Sequence, residues 1–121
     1  MSTHNATLVD GVASETISKG QGVKYLSGGW DACDTAGELA EGIAFSDAAN
    51  GEAFAVQVGG IVKYKAGANA ILDGASLTMD ANGLADTATT GDYVRLKAKG
   101  ACAAGAYGEA YWFDGYVFDG T

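Results

Sequence analysis

Acid–base and nucleophilic catalysis need a histidine, cysteine or carboxylate held in fixed geometry beside a partner. The chain offers one histidine, His4, near its start. No Ser-His-Asp or Cys-His arrangement can rest on it, because the polar segment around it has little to hold a side chain still. Two cysteines, Cys33 and Cys102, stand far apart and outside any metal-ligand spacing. Two free, partly buried thiols are expected, with a single disulfide as the alternative. The glycine-rich stretches lack the Lys-Ser/Thr of a phosphate loop. Asp31-Ala32-Cys33-Asp34 and Asp80-Ala81-Asn82-Gly83 bring oxygen ligands near turns. Neither runs on into a calcium loop with its terminal Glu, and Asp and Asn serve turns through local hydrogen bonds. A carboxylate pair for glycoside hydrolysis meets only in space, and a chain this short and glycine-rich has little room for a deep cleft. The expectation is a protein with no catalytic residue, no metal site and no cofactor.

Two rows of side chains suit contact rather than chemistry. Six of the twelve aromatic residues fall in the closing stretch: Tyr107, Tyr111, Trp112, Phe113, Tyr116 and Phe118. They suit a core with a cross-strand aromatic ladder, a carbohydrate platform, or a subunit interface, where Tyr and Trp are enriched. Tyr107, Tyr111, Trp112 and Tyr116 are the interface candidates. The second row lies along 93–99, where Tyr93, Arg95, Lys97 and Lys99 point one way and Val94, Leu96 and Ala98 the other. It reads as a solvated strand face or as a contact face for an acidic partner.

Fifteen acidic residues oppose seven basic ones, for a net charge of −8. Phosphate binding needs a basic face, so nucleic acid is not an expected partner. No segment nears the ~20 apolar residues of a membrane-spanning helix. Residues 1–18 hold no apolar stretch of secretory-signal length, so synthesis in a reducing cytoplasm is expected. Hydrophobic residues make up 48%, but 23 of them are alanines and only 33 are large apolar side chains. Alanine buries little area, so the core is thin for this length. The 19 glycines add entropic cost, and burial against neighbouring subunits would offset both.

Positioning these rows falls to strands, since no window carries a helical apolar period. Short apolar or alternating runs bounded by Gly, Asn and Asp predict strands over 23–26, 30–33, 43–45, 52–58, 61–65, 76–79, 83–86, 93–99, 109–113 and 116–118. Ser27-Gly28-Gly29, Asn50-Gly51 and Asn82-Gly83 supply the positive φ of tight turns. Phe54, Val56 and Val58 alternate with Ala53, Ala55 and Gln57, as in a sheet with one buried face. Such strands make a small barrel or sandwich.

A repeat is also legible. Gly20-x-x-Val23-x-Tyr25 and Gly29-Trp30 overlay Gly74-x-x-Leu77-x-Met79 and Gly83-Leu84. Gly51-Glu52-Ala53-Phe54 overlays Gly108-Glu109-Ala110-Tyr111, and Gly60-Ile61-Val62 overlays Gly115-Tyr116-Val117. Two related β units over 20–65 and 74–118 follow. Residues 1–18 read as an extended arm ahead of a single β domain over 19–121. On the arm, Leu8, Val9, Val12 and Ile17 are the residues expected to fill shallow pockets on a partner.

The middle of the chain carries a family likeness. Glu41-Gly42-Ile43-Ala44-Phe45 runs into Asp47-Ala48-Ala49-Asn50-Gly51-Glu52, then Val56-Gln57-Val58 and Gly60-Ile61-Val62. Lys65-Ala66-Gly67-Ala68, Asp73-Gly74-Ala75 and Met79-Asp80-Ala81-Asn82-Gly83 continue it. This run resembles the small capsid decoration, or cement, proteins of tailed bacteriophages over about residues 20–86; beyond Tyr93 the likeness fades. The resemblance implies an all-β, barrel-like or tulip-like domain without catalytic residues. It also implies a homotrimer on the outer surface of the assembled head, with the major capsid protein as partner, locking neighbouring capsomers. The alternative is a head- or tail-fibre domain that binds host-surface carbohydrate through the closing aromatics. A cell-wall hydrolase domain is a third reading.

Overall fold

A computed structural model describes residues 7–120; His4 and the opening residues of the arm lie outside them. The described chain is all-β. Its elements are β1 Thr7–Val12, β2 Gly22–Leu26, β3 Gly29–Ala32, β4 Gly42–Ala44, β5 Ala53–Gly59, β6 Ile61–Lys65, β7 Ser76–Met79, β8 Ala85–Thr87, β9 Tyr93–Lys99 and β10 Tyr107–Val117. The expected strands are found within a few residues, with two differences. The last two are one long strand, β10, whose register against β9 shifts between Trp112 and Tyr116. The other is β1, which arises from the supposed arm. Turn chemistry acts as read: Ser27 (φ 38°) and Gly28 (φ 92°) join β2 to β3, with Leu26 opposite Gly29.

The strands form two five-stranded antiparallel sheets, ordered β1-β5-β4-β2-β3 and β6-β10-β9-β7-β8. Adding five to each label of the first order gives the second, so the two units share one topology. Ladder registers show the correspondence residue by residue. Val23 faces Gly42 as Leu77 faces Leu96, and Ala44 faces Val56 as Ala98 faces Ala110. Ile17 and Ala48 exchange two backbone hydrogen bonds, of 2.8 and 2.9 Å, and Ile71 and Cys102 do the same at 2.7 and 2.9 Å. In each unit the two edge strands meet: Ser14 N–H donates to Trp30 O at 2.9 Å, and Gly67 N–H to Ala85 O at 3.0 Å. Each sheet is thus a partly closed barrel.

The repeat is real, but its boundaries move. The units cover 7–59 and 61–117, joined by Gly60 alone at φ 76°. Val23 does correspond to Leu77. The pairing of Phe54 with Tyr111 does not hold: Val56 takes Ala110's place and Gln57 takes Tyr111's. Gly60-Ile61-Val62 opens the second unit rather than closing the first. Glycine-centred motifs recur wherever a turn needs positive φ, whereas unit equivalence follows strand register, which a slip of one residue would invert.

The arm needs a larger correction. Residues 7–12 pair with β5 from Leu8 opposite Gln57 to Val12 opposite Ala53. Ala13 and Ile17 are buried in the first unit's core. The segment is extended, but it lies on its own sheet. β5 would otherwise be a bare edge over an apolar core, and a strand of the same chain covers it with no association entropy. Ile17 is therefore not a contact residue.

Two cores result. Ala13, Ile17, Val23, Ala44, Ala48, Phe54 and Val56 fill the first unit. The second unit's core, around Val62, Tyr64, Leu77, Met79, Ala85 and Leu96, also takes in Cys33, Ala40 and Ile43 from the first unit. The outer face of the first sheet therefore sits on the inner mouth of the second. Gly22 makes the approach possible, since a Cβ there would run into Met79. Gln57, only 1% exposed, fastens the two units: its Nε2 donates to Lys63 O at 3.0 Å and its Oε1 accepts Lys63 N–H at 2.9 Å. Both faces of β5 are covered here, where alternation alone pointed to one.

Cys33 and Cys102 are free and buried, and burial pushes the Cys33 thiol up to about 12. The thiolate is the reactive form. We expect neither cysteine to react with a thiol reagent in the folded protein near neutral pH, and both to react in denaturant. Rapid modification of the native protein would show that the second core opens easily.

Candidate interaction surface

The outward face of the second sheet is built by β6, β10 and β9. Alternation along β10 turns Tyr107, Glu109, Tyr111 and Phe113 outward, with Ala110 buried between. The ladders set these against lysines. Tyr107 lies opposite Lys65; Glu109 lies between Lys63 and Lys99; Tyr111 lies between Ile61 and Lys97. Lys19 and Lys65 place their ammonium groups 5.2 and 5.3 Å from the Tyr107 ring centroid, within cation–π range. Lys99 Nζ stands 3.6 Å from Glu109 Oε1, a partly exposed pair. A shallow depression lined by Lys63, Tyr107, Gly108 and Glu109 lies on the same face. On a chain of net charge −8, this is a concentrated cationic and aromatic surface.

The sequence-derived interface residues divide here. Tyr107 and Tyr111 are on the outward face, 51% and 43% exposed. Trp112 turns the other way and packs against the second core. The Arg95 guanidinium lies 4.9 Å from its ring centroid while Arg95 Nε donates to Ala40 O at 3.0 Å. These two residues thus hold the first unit's Ala40 against the second unit. Tyr116 is exposed, with its hydroxyl 3.4 Å from Ser76 Oγ. Of the 93–99 row, Lys97 and Lys99 stay on the outward face. Lys63 and Lys65 were missed, although the alternation Ile61-Val62-Lys63-Tyr64-Lys65 already puts both on one side.

The arm residues do not form one row. Leu8 and Val12 point to one side of β1 and Val9 to the other, where Gly11 lets the Trp30 indole lie close. Val9, Tyr25 and Trp30 surround the mouth of the first unit, and Tyr25 and Trp30 meet edge to face with centroids 5.5 Å apart. The loops that suggested calcium serve the fold. Asp80 Oδ1 accepts the Asn82 and Leu84 amides at 2.8 and 3.0 Å. Asp34 pairs with Lys24 at 2.8 Å, and that ammonium holds its carboxyl below the usual range. Among the described residues no group of His, Cys, Asp and Glu is arranged to hold a metal ion.

No protein-family profile matches the chain, and no curated protein sequence matches it. In overall fold the chain is similar to the N base of head fiber gp8.5 of bacteriophage phi29. The TM-score is 0.72 at 14% identity, covering 88% of this chain and 93% of that one. At that identity the likeness is one of fold.

Proposed function

We propose that this chain is a non-enzymatic structural protein of a bacteriophage particle that binds the outer surface of the assembled head as a decoration protein. The observation that carries this reading is the fold likeness to a head fiber base, which spans nearly the whole of both chains. The decoration-protein likeness over about residues 20–86 supports it from the sequence. Its partners are the major capsid protein and further copies of itself, as a homotrimer, after synthesis in the host cytoplasm. The acidic balance of the chain disfavours nucleic acid. A protein that binds only the assembled lattice stabilises it by mass action, and many modest sites add up over a shell.

Purified protein is expected to co-sediment saturably with mature heads and to raise the temperature at which they release their contents. No binding to heads of a phage that encodes this chain would overturn the proposal. A second reading, a head-fibre domain that touches host-surface carbohydrate, draws support from the exposed Tyr107 and Tyr111 with their lysine border. Glycan-array binding without head binding would favour it.

A further inference from the structure

The two units pack through unlike surfaces. In the second unit Val62, Met79 and Ala85 are 0, 2 and 1% exposed, because Gly22, Cys33, Ala40 and Ile43 of the first unit lie over them. Their counterparts in the first unit are Val9, Tyr25 and Trp30, matched through the same ladders and the same edge bridge. The second unit does not lie over them: Val9 is 40% and Tyr25 51% exposed, and Trp30 is only partly buried, against the first core. One mouth is closed by a neighbouring unit and its twin is open.

The covering surface also has a twin. Ile43, Gln57 and Gly22 of the first sheet correspond to Lys97, Tyr111 and Ser76 of the second, and there Lys97 and Tyr111 are exposed. The substitutions are matched in kind. Ile43 joins the aliphatic cluster with Met79 and Ala85, whereas Lys97 in the same seat would meet the Tyr25–Trp30 pair, and aromatic faces attract an ammonium. Charge agrees as well. Residues 7–59 hold eight acidic and two basic side chains, while the outward face of the second sheet presents Lys63, Lys65, Lys97 and Lys99 around Glu109.

We propose that the open mouth of the first unit is a socket for a second copy of this chain, whose second-sheet outer face seats on it with Lys97 over Tyr25 and Trp30. This rests on the homotrimer reading above and names its interface. The contact joins unlike surfaces, so each copy has one socket and one plug; a threefold rotation between copies closes such a contact into a trimeric ring, and any rotation that does not close continues as a filament.

The test uses the purified full chain without heads. Sedimentation velocity of the native protein is expected to show a concentration-dependent trimer. Tyr25→Ser and Lys97→Glu alter exposed side chains; each is expected to keep the native circular dichroism spectrum and to weaken association by roughly tenfold or more. Leu72→Ser, at an exposed site outside β6, β9 and β10 and apart in sequence from Val9, Tyr25 and Trp30, is expected to change nothing. Tyr25→Cys mixed with Lys97→Cys should be joined by a short bis-maleimide, and neither variant alone should cross-link to itself. A trimer that survives both Tyr25→Ser and Lys97→Glu would overturn this interface while leaving the homotrimer standing. Cross-linking of Lys97→Cys to itself would overturn the plug-and-socket contact in favour of a symmetric one. A native chain that stays monomeric both in solution and on heads would overturn the homotrimer and the interface together, leaving head binding to its own assay.

Discussion

Deleting residues 1–18 is expected to unfold the first unit, and not merely to weaken binding to a partner. The deletion removes β1, whose Leu8 to Val12 pair with β5, and with it Ala13 and Ile17 from the first core. Truncating one buried Ile typically costs ~2–5 kcal/mol. Here β5 also becomes a bare edge and Val56, now fully buried, is uncovered. Whole-domain stabilities are only ~5–15 kcal/mol. Because Cys33, Ala40 and Ile43 complete the second core, the loss should spread to the second unit. Urea unfolding and amide exchange would show a much lower midpoint and lost protection in β2, β4 and β5. A truncated chain with the native midpoint would show that the segment is the detachable arm its composition suggests.

The second large effect is expected at Gln57. Gln57→Leu puts a side chain of similar size at a buried position but leaves the partly buried Lys63 N–H and C=O without the partners Gln57 gives them. An unsatisfied buried polar group costs ~1–3 kcal/mol; with both groups only partly buried, a loss at the low end of that range for each, ~2 kcal/mol in all, is expected. The damage should be local to the junction: the Lys63 amide should exchange faster before the strand interiors do. A variant within about 0.5 kcal/mol of the native protein, the range of ordinary surface changes, would show that the junction is held by apolar packing alone.

The all-β class, nine of the ten strands and the glycine-bearing turns were legible in the residues. They depend on local rules: side-chain alternation, β-branched and aromatic runs, and positive φ at Gly28, Gly51 and Gly83. The existence of a repeat was legible too, because both copies keep the Gly-x-x-apolar start of β2 and β7. Its register was not. Glycine spacing drifts between units, and only hydrogen-bond ladders put Gln57 in Tyr111's place. β1 was missed because five of its six residues are exposed and Asp10 and Gly11 interrupt its apolar run; it is held by β5, a partner distant in sequence.

Residue order alone set the kinds of surface this protein owns: an acidic first half, a lysine-bearing strand at 93–99 and a closing set of aromatics. Which of those side chains face outward was decided only by tertiary structure. Trp112 turns inward to stack with Arg95, while Tyr107 and Tyr111 join lysines of two strands, β6 and β9. Ile43 and Lys97 occupy matching places in matching units, yet one is buried and the other exposed. Local pattern sets a residue's face on its own sheet. Whether that face meets water depends on which unit lies against it, and that follows from contacts between residues far apart in the chain.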